Sequence, residues 1–265
     1  MHASMRRRQC GDLIYYTCDR LPVRHAFTTK AGGVSTGDCA SLNLGFQRGD
    51  DPACVRENYA RLAQALHIPL ERMTLTQQVH DDRAVLVTEQ AVGTGLHKPM
   101  DWNADALVTA LPDTPLAGFY ADCVVTLFYD PVSCICGVCH AGWRGTAKQI
   151  PAKTVKKMTE LGAQPHQILA VIGPSICQSC FETDADVPDA MQAQMGAAVQ
   201  AHIRKKGVKF HVDLQGIQVD TLRQAGLLPE NIINSGICTQ CHADIFWSHR
   251  ATNGKRGVQA GVICL

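Results

Sequence analysis

Four apolar, strand-like runs follow one another in the middle of this chain, at residues 106–109, 116–121, 124–129 and 134–140. Parallel neighbours in a sheet need a crossover of a dozen or more residues, usually a helix, and none of the gaps between these runs holds one. A purely parallel, doubly wound sheet therefore does not fit this order. Mixed β-sheets with helices packed on their outer faces do, and the expected class is α+β. Further strands are read at residues 23–29, 73–79, 84–88, 168–172, 231–236 and 257–265. Apolar positions at helical spacing predict helices over 54–66, 145–161, 186–204 and 213–225. Pro151 must either kink the second of these or mark its true first turn. No internal repeat, low-complexity tract or Pro/Ser-rich linker divides the chain. The expected organisation is an N-terminal lead-in at residues 1–22, disordered in part, followed by one domain over 23–265.

Twenty-five basic residues against 24 acidic ones leave a net charge of +1. Neither a nucleic acid nor a membrane surface is expected as the main partner. Arg6-Arg7-Arg8 and Arg204-Lys205-Lys206 are short, isolated clusters and read as solvated surface. The apolar stretch near the N-terminus, residues 13–16, is too short for a signal-peptide core, and no run of about 18 apolar residues follows. A cytoplasmic, reducing location is the expectation. There the 13 cysteines act as small hydrophobes, metal ligands or nucleophiles before they act as disulfides.

Chemistry concentrates in residues 131–145. An apolar strand runs into His140, Gly142 turns the chain, and Trp143-Arg144-Gly145 opens a helix. A side chain at a strand end projects into a cleft while its backbone stays anchored. The helix start offers free N–H groups to an anion, and Arg144 adds a forked, permanent charge for phosphate or carboxylate. Gln78-Val79-His80 likewise ends a strand-like run at a histidine, and Ala121-Asp122-Cys123 interrupts an apolar stretch with an acid and a thiol. His80, Cys123 and His140 together would make a three-ligand zinc set with a fourth position left for water, as catalytic zinc requires. With 11 histidines and 13 cysteines in the chain, spacing alone does not establish that set.

A series of motifs occurs in order: Thr28-Thr29-Lys30-Ala31-Gly32-Gly33-Val34-Ser35, Ser41-Leu42-Asn43-Leu44-Gly45, Gln78-Val79-His80, Ala121-Asp122-Cys123, His140-Ala141-Gly142-Trp143-Arg144-Gly145 and Gly173-Pro174-Ser175-Ile176. From about residue 25 to the end the chain resembles the YfiH family, often named the polyphenol oxidase or laccase-domain family. The resemblance implies a single-domain α+β fold with β-sheets sandwiched between helical layers, and zinc on His80, Cys123 and His140. It implies purine nucleoside chemistry as well: phosphorolysis of adenosine, inosine, guanosine and methylthioadenosine, and deamination of adenosine. For the deamination Asp122 is the candidate proton shuttle. For phosphate and substrate binding the candidates are Arg144, Asn43 and Ser35. The sequence departs from the family at Lys30, where arginine is usual, at Asp81, where glycine is common, and at His249, a usual tyrosine position.

Two other functions stay open at this point. One is a copper-dependent polyphenol oxidase, although a multicopper centre needs closely spaced histidine pairs that this chain lacks. The other is a cysteine hydrolase in which His140 activates Cys123. Cys177-Gln178-Ser179-Cys180 and Cys238-Thr239-Gln240-Cys241 form two CxxC pairs. Their wide separation argues for packing or incidental thiols over a second metal site.

Overall fold

The computed structural model describes residues 4–265. In chain order its strands are β1 (Met5–Cys10), β2 (Leu13–Cys18), β3 (Arg24–Thr28), β4 (Thr74–Leu75), β5 (Ala84–Leu86), β6 (Ala106–Thr109), β7 (Leu116–Tyr120), β8 (Val124–Asp130), β9 (Ile135–Ala141), β10 (Leu169–Ile172), β11 (Glu182–Thr183), β12 (Ile203–Lys206), β13 (Lys209–Val212), β14 (Ile232–Asn234) and β15 (Gln259–Cys264). The α-helices are α1 (Pro52–Leu66), α2 (Trp143–Ala147), α3 (Ile150–Thr159), α4 (Asp186–Met195), α5 (Leu214–Gln224) and α6 (His249–Thr252). One six-stranded sheet runs β1-β2-β3-β15-β7-β4, a second runs β14-β10-β8-β9-β6-β5, and β11-β13-β12 make a small third. Both large sheets are mixed. Their central pairs are antiparallel, whereas β4 lies parallel to β7, β5 to β6 and β14 to β10.

Strand alternation sets the layers. On β9, Cys136 and Val138 face the first sheet, while Ile135, Cys139 and Ala141 pack toward Ile150 and Val155 of α3 and Ile217 of α5. On β15, Ile263 joins Phe27, Leu116 and Leu127 between the sheets, while Ala260, Val262 and Cys264 meet Tyr59 and Leu62 of α1. The layers are thus α1, first sheet, second sheet, and α3 with α5, the α+β sandwich with outer helices. A fully buried large apolar side chain contributes ~1.5–3 kcal/mol. An exposed ion pair such as Arg6–Asp19, at 2.7 Å, contributes ~0–1 kcal/mol. The apolar layers, not surface charge, hold the sandwich together.

Several expectations need correction. Residues 5–18, assigned to the lead-in, form the β1–β2 hairpin, in register from Met5↔Cys18 to Cys10↔Leu13, and β2 continues onto β3. The reason is visible in β1 itself: one buried Met5 is followed by five exposed residues, so no apolar alternation marks it as a strand. Residues 1–3 of the lead-in lie outside the described residues. The helix expected over 145–161 is two helices. Gln149 takes a left-handed conformation (φ 58°) between them, and Pro151 sits in the first turn of α3. The helix expected over 186–204 stops at Met195 before Gly196 (φ 75°), and residues 203–206 become β12. Arg204, Lys205 and Lys206 are exposed on that edge strand, where charge discourages pairing with another chain. Among the described residues no helix is long and apolar enough to cross a membrane.

Candidate metal centre and its cavity

Each cluster residue sits where the chain ends a strand or passes between sheets. His140 lies near the end of β9, on the face it shares with Cys136 and Val138, and is only 2% exposed. Cys123 lies in the short corner where the chain leaves β7 of the first sheet for β8 of the second. His80 follows β4 on the way to β5, in a left-handed backbone conformation (φ 59°). Their ligating atoms all lie within 4.8 Å of one another. The two imidazole rings stand 4.9 Å apart and nearly perpendicular, at 81°.

Asp105, which sequence reasoning missed, ties this arrangement together. It is fully buried just before β6 and accepts from the backbone N–H groups of Val79 (3.0 Å), His80 (3.1 Å) and Asp81 (3.1 Å). Its Oδ1 also takes the Nδ1 proton of His140 at 2.8 Å. That bond fixes the tautomer and leaves Nε2 of His140 free as a ligand. Burial opposes the Asp105 charge, but His140 and the amides of Val79 and Asp81 outweigh it and hold the carboxyl below its usual value. Burial also opposes a charged His140, yet the Cys123 sulfur and Asp105 raise it to about 9. Burial first, then the charge of His140, pushes His80 the other way. A cation bound at Nε2 of His140 would take the place of a proton there. Gly142 is required by space: a Cβ at this position would stand 2.6 Å from Nδ1 of His80 and 3.2 Å from Sγ of Cys123.

The cluster lies against a cavity of about 430 Å³, within the usual range of small-molecule sites. Phe46, Leu75, Met100 and Phe119 line its apolar side, and Arg48 and Arg256 give it positive charge. Arg256 is 9% exposed; it donates to the carbonyl of Gly257 (2.9 Å), while its buried Nε has no partner. Burial and the nearby Arg48 lower its pKa to about 10. With Arg56, which donates to the Leu96 carbonyl (3.2 Å), three guanidiniums line one cavity, and the buried unpaired donor of Arg256 suits an anion.

The other residues picked from sequence stand outside this cavity lining. Asp122 is buried, with one oxygen taking the hydroxyl proton of Thr239 (2.6 Å) and the other the N–H of Arg250 (2.7 Å). Both oxygens brace the corner that carries Cys123, a different geometry from that expected of a proton shuttle. Arg144 is exposed, its guanidinium 4.2 Å from the Trp143 ring centre, and its charge acts on His80, helping to lower the pKa of that ring. Asn43 is fully buried and spends its amide on Gly45, Asp50 and Val258. The Ser35 hydroxyl accepts from Asn58 at 2.9 Å. Asn43 and Ser35 therefore stabilise loops. Of the family departures, Lys30 donates to the Ala243 carbonyl (2.6 Å), and Asp81 is paired with Lys148.

Fold and site define a β-sandwich protein with a mixed nitrogen–sulfur donor cluster at a cationic cavity. The chain belongs to the family described as multi-copper polyphenol oxidoreductase laccase, whose profile matches residues 24–265. A Bacillus subtilis relative named purine nucleoside phosphorylase YlmD is 39% identical over 87% of this chain and 84% of its own length. A Deinococcus radiodurans protein named purine nucleoside phosphorylase is 40% identical over 92% and 90%. The crystal structure of the Bacillus licheniformis hypothetical protein YfiH superposes with a TM-score of 0.93 at 31% identity, covering both chains completely.

Proposed function

We propose that this protein is a purine nucleoside phosphorylase whose His80, Cys123 and His140 hold zinc at the end of the substrate cavity. The observation that carries the reading is the convergence of two imidazoles and one thiol beside a cavity lined by Arg48 and Arg256. The donor set suits zinc: two nitrogens, one sulfur, and a carboxylate fixing the second nitrogen of one imidazole. A bound zinc ion supplies Lewis acidity at that end of the cavity.

The chain's own groups then divide the work. Arg48 and Arg256 hold the phosphate dianion, and Phe46 and Phe119 cover the apolar faces of nucleoside and exclude water. A phosphate oxygen forms a bond to ribose C1′ as the C–N glycosidic bond breaks. The base leaves with the electron pair and takes up a proton. Arg144, exposed and close enough to act on His80, steers the anion inward. Deamination of adenosine belongs to the same proposal as a second activity. Asp122 acts in it by positioning Cys123.

Incubation of the protein with adenosine, inosine or guanosine should release base and ribose 1-phosphate, and with methylthioadenosine adenine and 5-methylthioribose 1-phosphate, only when phosphate is present. Inosine formed from adenosine without phosphate reports the deaminase. His80→Ala should lower turnover by about 10²-fold or more, as loss of a preorganised electrostatic group does. Arg256→Ala should raise the KM for phosphate about 10- to 100-fold, the loss of a charged hydrogen bond. Zinc-loaded protein that releases no base in phosphate would sink the proposal.

One observation favours a second reading. Asp105, His140 and Cys123 are aligned as acid, imidazole and thiol, the order of a cysteine nucleophile with its base. His80 in contact range of the same sulfur is unexplained by that reading and expected of a metal ligand. Rapid alkylation of Cys123 in zinc-loaded protein would support the nucleophile; protection by zinc supports the metal centre.

A further inference from the structure

The two CxxC pairs, read in sequence as packing or incidental thiols, come together in the fold. The sulfurs of Cys177, Cys180, Cys238 and Cys241 all lie within 4.8 Å of one another, with Cys180 and Cys241 at 3.5 Å. Four sulfurs bound to one zinc at about 2.3 Å form a tetrahedron with edges of about 3.8 Å. A disulfide would instead bring two sulfurs to about 2.05 Å.

The local backbone is built for thiolates. Each pair closes a tight turn: the N–H groups of Cys180 and Phe181 donate to the Cys177 carbonyl at 3.1 and 2.9 Å, and that of His242 to the Cys238 carbonyl at 3.1 Å. The Cys238 sulfur accepts from the N–H of Cys241 (3.4 Å) within its own turn and from that of Cys177 (3.3 Å) in the other. Such N–H···S bonds favour the charged sulfur and fix its direction. A parallel bridge between Ser175 and Cys238 sets the two turns side by side.

We propose that Cys177, Cys180, Cys238 and Cys241 hold a structural zinc ion, a second metal site distinct from the His80 cluster. Four thiols release their protons to solvent as the cation binds, and four thiolates leave no position open for substrate. The site fastens the segment that supports the first cluster. Thr239, inside the second turn, donates to Asp122, and Arg250 donates to both Asp122 and the Cys180 carbonyl (3.2 Å). Asp122 in turn precedes Cys123.

The test disables the first cluster and leaves this one intact. A full-length chain carrying His80→Ala and Cys123→Ser, purified without added metal, should retain about one zinc per chain. X-ray absorption at the zinc edge should show sulfur neighbours only, at about 2.3 Å. Adding Cys238→Ser and Cys241→Ser should remove that zinc; if this variant does not fold, the first variant carries the test alone. Metal-free protein, iron in place of zinc, nitrogen in the coordination shell, or disulfides among these cysteines in a non-reducing peptide map would overturn the proposal. The outcome is independent of the phosphorylase reading, which falls by absent turnover even when the sulfur-bound zinc is present.

Discussion

Asp105 is the residue on which both histidine segments depend. It holds three consecutive amides of residues 79–81 and the Nδ1 proton of His140. Asp105→Asn keeps the shape but turns one acceptor into a donor facing His140. Zinc affinity should fall about 10- to 100-fold, the usual effect of losing a partner behind a ligand, measured by chelator competition. Unchanged affinity would show that the loop holds itself. His80 and His140 stood out in sequence because they end strand-like runs, and Cys123 because it interrupts an apolar stretch. Asp105 did not, since a lone acid before a strand resembles any loop acid. For Asn43 and Ser35 the sequence leaves two readings open for a related reason: a polar side chain in a glycine-rich loop looks the same whether it satisfies backbone or substrate.

At the scale of elements, the β2–β3 connection contains a proton-sensitive joint. The N–H of Cys18 donates to Nε2 of His25 (2.8 Å), and Nδ1 of His25 faces the Val23 carbonyl at 2.7 Å. Both nitrogens are used by the neutral ring, and burial lowers its pKa below the ordinary value. The unfolded chain therefore gains a proton at a pH where the folded ring does not. Stability from this group is complete above about pH 6.5 and is lost as pH falls through the depressed folded value. The protection factor of the Cys18 amide, its exchange rate relative to the intrinsic rate at the same pH, should fall on acidification through this window, and His25→Gln should remove that pH dependence; an equal slope in the variant would refute the assignment. The hairpin itself escaped sequence reading because β1 is nearly all exposed. The helix over 54–66 was legible, because α1 carries Val55, Tyr59, Leu62 and Leu66 on one buried face.

At the scale of the whole molecule, the spacing of the two sheets rests on glycines. A Cβ on Gly118 of β7 would lie 2.8 Å from Cγ2 of Val138 on β9, and one on Gly261 of β15 would lie 2.6 Å from Cγ1 of Val125 on β8. Gly118→Ala should therefore cost ~1–3 kcal/mol, the usual penalty of overpacking, read as a lower denaturant midpoint at unchanged slope. Val138→Ala in the same chain should restore part of the loss. Additive losses in the double variant would mean that the contact does not set the spacing. Because His140 sits on the Val138 face of β9 and Cys123 in the corner between the sheets, this spacing also fixes the first cluster.

The sequence by itself determined the fold class and the order of most strands, and it offered His80, Cys123 and His140 as candidates that the ordered motifs singled out. These follow from local patterns: period-2 alternation, short gaps, and polar residues at strand ends. Only the tertiary structure decided what meets what. Asp105 against His140, Arg48 beside Arg256 and the closing of two distant CxxC turns on each other all join residues far apart in the chain. Such contacts leave no periodic signal, because the packing of sheets and loops, not the local conformation of either partner, brings them together.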